Sequence, residues 1–245
     1  MWVHADRHEW VEADQACASA LANATEPRAQ GISAGFLTLT GRPRRALAYL
    51  EAARSNDPLS TIVAVTVARQ YSLLDMGPQL EAEYQRIQDM GGTQLQGYET
   101  MLFYLMHSRA PVDRIAEVFS LVCKQGPPGC DGWAAAIRSP EKGPAILRAG
   151  LTGLSGSEVD WAGRIALSAA YLGDRDLALD ALEVFGRTRN SASYQVLWFP
   201  LLGDVRKDPR FKRIVERIGF PELWRRTGQW PDVCRPIGEK DFECH

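Results

Sequence analysis

The chain of 245 residues carries five cysteines, Cys17, Cys123, Cys130, Cys234 and Cys244, and these are its most versatile reactive side chains. No C-x-x-C occurs among them, which excludes a zinc ribbon and a thioredoxin-type dithiol. Cys123 and Cys130 flank a Gly-Pro loop, and Cys234 and Cys244 flank a terminal one. Both pairs are therefore spaced to close as local disulfides in an oxidising compartment, which would favour the periplasm. The plainer reading leaves Cys123 buried at the end of an apolar helix and Cys130 a loop thiol, in a cytoplasmic protein.

Two other constellations name a chemistry. Gly31-Ile32-Ser33-Ala34-Gly35 matches G-x-S-x-G, the nucleophile elbow of serine hydrolases. That chemistry needs a strand before the serine, and Glu26-Pro27-Arg28-Ala29-Gln30 does not read as one. Close packing of a helix on its neighbour explains the small residues better. His4 and His8 are spaced to share a helix face, but the run from His8 reads H-E-x-x-E where a zincin needs H-E-x-x-H. A solvated face is the expectation there, with no metal. Neither G-x-x-x-x-G-K-[ST] nor G-x-G-x-x-G is present, and Gly150, Gly153 and Gly156 are spaced like a loop hinge, so no nucleotide cofactor is implied.

The elements that must position these residues read as helices in pairs. Ala46, Leu50, Ala53 and Pro58 fall at A-x3-F-x2-A-x4-P spacing, with Gly41 at the preceding turn, which closes a helical repeat of about 34 residues beginning near Pro27. A second unit starts at Thr61, with Val67, Ala68 and Tyr71 on its first helix and Leu80, Tyr84 and Ile87 on its second. A third starts near Gln96, with Leu102, Phe103 and Met106, then Ile115, Phe119 and Val122 after Pro111. Between Gln125 and Ser157 the pattern loosens to a shortened pair, and a further unit resumes near Val159 with its turn at Gly173-Asp174. Trp10, Ala13, Cys17, Ala20 and Leu21 mimic the second helix of a unit lacking its first, as expected of a fragment of a longer protein. The β-branched run Ile62, Val63, Val65 and Val67 has no partner strand and is read as helix.

These units resemble tetratricopeptide repeats. The segment with Pro200, Arg206, Asp208, Pro209, Arg210, Phe211 and Gly219, followed by Leu223-Trp224, Trp230-Pro231 and Cys234, resembles the end of the tetratricopeptide domains of bacterial signalling and transcriptional regulator proteins. The resemblance implies an all-α fold, a right-handed α-α superhelix over residues 1–196 with a non-repeat helical cap over 197–245. It further implies a protein or peptide partner held on the concave wall of first helices, where Arg28, Thr38, Val65, Arg69, Ser72, Thr100, Tyr104 and His107 would face the groove. In such proteins the domain often follows a winged-helix or nucleotide cyclase domain, so a sensory or regulatory fragment is the alternative, and serine hydrolysis a remote one.

Composition narrows the remaining classes. An apolar fraction of 45% with 24% charged residues allows a sizeable core and argues against disorder. Lys and Arg number 28 against 30 Asp and Glu, a formal net charge of −2, so nucleic acid is not expected as a partner. The uncharged stretch from Leu59 to Ala68 is about half of a membrane span, and the residues after Met1 form no export leader. The basic run Arg206, Lys207, Arg210, Lys212, Arg213, Arg217, Arg225 and Arg226 is expected to be a solvated helix face, with an acidic partner the alternative.

Overall fold

Pairs of helices follow one another along nearly the whole chain. The computed structural model describes residues 1–23, 26–91, 95–188 and 190–245. Its helices are α1 (Trp2–Asp6), α2 (Trp10–Asn23), α3 (Pro27–Leu39), α4 (Pro43–Asn56), α5 (Thr61–Leu73), α6 (Gly77–Asp89), α7 (Leu95–His107), α8 (Val112–Cys123), α9 (Cys130–Ile137) and α10 (Gly143–Gly153). Then come α11 (Ala162–Leu172), α12 (Arg175–Phe185), α13 (Gly203–Arg206), α14 (Pro209–Ile218) and α15 (Phe220–Thr227). Three 3₁₀ segments, Gly156–Trp161, Ser191–Trp198 and Pro200–Leu202, interrupt them. Each of α3/α4, α5/α6, α7/α8, α9/α10 and α11/α12 packs as a pair.

Local chemistry sets the helix ends. Proline opens α3, α4, α6, α10 and α14 in the first turn, where a missing N–H is harmless. The Asp174 carboxylate accepts from Leu177 N at 2.9 Å to start α12, and Asp208 accepts from Arg210 N at 2.8 Å to start α14. In four of the five pairs the chain makes the same turn between the helices. Its left-handed residue is Gly41, then Asp75, then Arg109, a recurrence of about 34 residues, and Gly173 repeats the geometry later. In all four, the next residue's N–H returns to a carbonyl near the end of the first helix: Arg42 to Leu37, Met76 to Tyr71, Ala110 to Leu105 and Asp174 to Ala169.

The tail departs from the all-helical expectation. After α15 the chain forms an antiparallel hairpin, β1 (Cys234–Ile237) on β2 (Asp241–Cys244), with Cys234 opposite Cys244. These strands are too short and, with Pro236 inside β1, too irregular to show in sequence. Phe242 is buried beneath Trp224, at a ring separation of 5.4 Å.

The C-terminal elements also close the array on its first helices. Trp10 of α2 donates from Nε1 to the carbonyl of Ile218 at 2.6 Å and packs on Phe220 at 4.9 Å between rings. Phe220 in turn contacts Tyr194, Trp198 and Trp224. One face of α2 is therefore covered by α15. None of the helices among the described residues is long and apolar enough to cross a membrane.

Burial also shifts several titrations that bear on stability at alkaline pH. Cys17 is buried and donates to the Ser33 carbonyl at 3.3 Å, and burial pushes its thiol up to about 12. Burial, with a hydrogen bond to Glu51, pushes Tyr71 up to about 12, and burial raises Tyr194 further. The unfolded chain sheds these protons at lower pH than the folded one, so their contribution is complete below about pH 9 and lost as pH rises through the folded values. Arg206, lowered by burial to about 10, opposes this loss only above that pH. Urea midpoints are expected to fall between about pH 9 and pH 12 and to fall less in Tyr71→Phe. An unchanged midpoint across that range would refute it.

Candidate functional site

Four of the eight residues expected on a groove wall, Thr38, Val65, Ser72 and Thr100, are buried. Thr38 is fully buried, its Oγ1 lying 3.2 Å from the Ala34 carbonyl and 3.0 Å from Gln70 Oε1. Ser72 is buried and donates to the Thr100 carbonyl at 3.3 Å, and Val65 is core. Arg28 is exposed on the first turn of α3. Tyr104 and His107 face the turn between α5 and α6: a Cβ added at Gly77 would sit 2.0 Å from the Tyr104 hydroxyl, and His107 Nε2 is 3.5 Å from Asp75. Neither of these two is among the residues that line the cleft containing Arg69.

The first helices meet a segment of their own chain. Residues 191–202 run across them. Ser191 donates from Oγ to Asp6 at 2.6 Å, Val196 packs against Gly163 of α11, and Trp198 donates from Nε1 to the Leu39 carbonyl at the end of α3 at 2.7 Å. The Phe199 ring stands 4.8 Å from that of Phe103 on α7. Arg206 is buried and holds the segment from behind, donating to the carbonyls of Leu197 and Phe199. The basic run is therefore not one solvated face: its first member, Arg206, is a buried structural donor, and Arg210 and Lys212 are paired with Asp180 and Asp241.

What this segment leaves open is a cleft of about 170 Å³. Arg69 of α5, Glu99, Thr100 and Phe103 of α7 and Arg164 of α11 line one side, and Asn190, Ser193, Gln195 and Phe199 the other. Arg164 donates from Nε to Glu99 at 2.6 Å and from Nη1 to the Asp160 carbonyl at 3.2 Å, while its guanidinium lies over the Trp161 ring at 4.1 Å. Burial lowers the Arg69 guanidinium, and the Glu99 carboxylate offsets part of that effect. Two guanidiniums against one carboxylate leave the lining net positive. Set against protein-family models, curated proteins and solved structures, the chain matches none.

The other candidates separate from this cleft. Ser33 lies buried in the middle of α3, so no strand-turn-helix elbow surrounds it. His4 is on α1, bonded to Glu9 at 2.5 Å, whereas His8 is a left-handed residue between α1 and α2, so the two share no helix face. Among the described residues no group of His, Cys, Asp and Glu is placed to hold a metal. Gly150 is part of α10 beneath the Trp133 ring and is no hinge. Cys123 is bonded to Cys130 and Cys234 to Cys244. Sequence reasoning missed Glu99, Arg164 and the 190–199 side of the cleft, and no local pattern marks them.

Proposed function

We propose that the chain is a non-enzymatic binding module of tetratricopeptide type that takes an acidic group of a protein or peptide partner in the cleft around Arg69. The supporting observation is the net positive lining built on three helices and backed by the chain's own segment. Rigid helical supports hold the guanidiniums, and Thr100, Ser193, Asn190 and Gln195 supply hydrogen-bonding groups around them. The turn that recurs about every 34 residues supports the repeat type. A cleft this small suits one carboxylate-bearing side chain or chain end, and the remainder of a partner would lie on the surface. The two disulfides favour an oxidising compartment such as the periplasm.

The test is to capture partners on the immobilised full chain, identify them by mass spectrometry and titrate each against variants. Arg69→Ala is expected to weaken the partner by about 1–3 kcal/mol, because a charge-assisted contact is lost while the fold keeps its core. Tyr104→Ala, outside the cleft, is expected to leave the affinity unchanged. A partner indifferent to Arg69→Ala would remove this cleft from consideration.

A further inference from the structure

A second cleft, of about 520 Å³, opens where α1, the loop after α12 and the end of α14 meet. Asp6, Arg7, His8, Arg187, Thr188 and Arg217 line it, together with Gly186. Arg7, Arg187 and Arg217 are exposed, and none of the three takes part in an ion pair or side-chain hydrogen bond among the described residues. Several neighbouring basic residues are instead neutralised in place, Lys207 by Asp204, Arg210 by Asp180 and Glu183, Lys212 by Asp241 and Arg226 by Glu222. The one carboxylate in the cleft, Asp6, is already engaged by the N–H and hydroxyl of Ser191. Thr188 donates its hydroxyl to Asp160. His8 is held by stacking on Trp10 at 5.2 Å, with Nε2 3.4 Å from the Tyr194 hydroxyl.

Three unpaired arginines from three separate elements line this one cleft, and a multiply charged anion bound among them would offset their mutual repulsion. Each guanidinium presents a planar fork of donors suited to two oxygens of one tetrahedral group. A phosphate monoester carries a charge of about −1.5 to −2 at neutral pH and three acceptor oxygens, one for each arm. A dicarboxylate has comparable charge, but its oxygens lie in two separated planar groups and cannot all be met from one centre. We propose that this cleft binds a phosphoryl group in its dianionic form, through Arg7, Arg187 and Arg217. This site is distinct from the Arg69 cleft and does not depend on the function proposed for it.

Isothermal titration of the full chain at constant ionic strength tests this. The probes are inorganic phosphate, a phosphoserine peptide, the same peptide unphosphorylated, and succinate. Both phosphate-bearing probes are expected to bind, with succinate and the unphosphorylated peptide at least about tenfold weaker, the difference of roughly one extra charge-assisted contact. The Arg187→Gln and Arg217→Gln variants are each expected to weaken phosphate at least about tenfold while unfolding at the parent temperature in phosphate-free buffer, since neither side chain has a partner to lose. Tighter binding of the peptide identifies a group carried on a larger molecule, and tighter binding of inorganic phosphate identifies the free ion; either supports the site. Succinate binding as well as phosphate, or phosphate binding unchanged in the double variant, overturns it.

Discussion

Replacing Trp198 by alanine is expected to destabilise the protein by about 3–5 kcal/mol, the range for deleting a fully buried large aromatic side chain. The ring is surrounded on every side by elements far apart in sequence. It contacts Phe211, Phe220 and Trp224, covers Gly41 in the first inter-helix turn, and its N–H satisfies the carbonyl that ends α3. Removal leaves a cavity, and also an unbonded Leu39 carbonyl at the point where the 191–202 segment joins the first pair. Trp198→Phe keeps much of the volume and loses the hydrogen bond, so it is expected to cost clearly less than the alanine variant. Urea unfolding followed by far-ultraviolet dichroism measures both. A loss below about 1 kcal/mol in Trp198→Ala would show that the segment does not bear on the fold as a whole.

Arg206→Met is expected to cost about 2–4 kcal/mol, for a different reason. The guanidinium is buried among main-chain oxygens, donating to Phe199 at 2.8 Å, Leu197 at 3.2 Å and His245 at 2.7 Å. Burial lowers its proton affinity to about 10, so it is still charged at neutral pH. Methionine fills much of the space and removes the cost of burying a charge, but it leaves three carbonyls without their donor. Arg206→Lys is expected to recover only part of the loss, because a single ammonium cannot span carbonyls that the guanidinium reaches from separate nitrogens. Hydrogen exchange of residues 191–202 and of the hairpin is expected to accelerate in both variants, since Arg206 ties the two together. An Arg206→Met protein more stable than the parent would mean that desolvation outweighs the lost bonds.

The sequence determined what depends on neighbours a few positions away. Pro27, Thr61 and the Gly173-Asp174 turn mark helix boundaries where the structure has them, because capping and the missing proline N–H act within one turn. The shortened pair after Gln125 is present as α9 and α10, and each local cysteine pair is bonded. The first-helix positions were another matter. Thr38 and Ser72 look like groove residues because they are polar at repeating positions, yet each is spent on a hydrogen bond within the packed helices. Which side of a helix is open depends on what lies against it, and periodicity carries no such information.

Only the tertiary structure decided the rest. The contacts that close the array join Trp10 to Ile218, Asp6 to Ser191 and Trp198 to Leu39. No local propensity foresees such pairs, since their members lie 159 to 208 residues apart in sequence and meet only in the folded chain. The same closure creates both clefts. Arg69, Glu99 and Arg164 come from three helices and meet the chain's own 190–199 segment, and Arg7, Arg187 and Arg217 meet at the seam between first and last elements. Apart from Arg217, which belongs to the basic run, charge density along the chain is ordinary at these residues. It is their placement along common clefts, despite their distance in sequence, that makes them candidate sites.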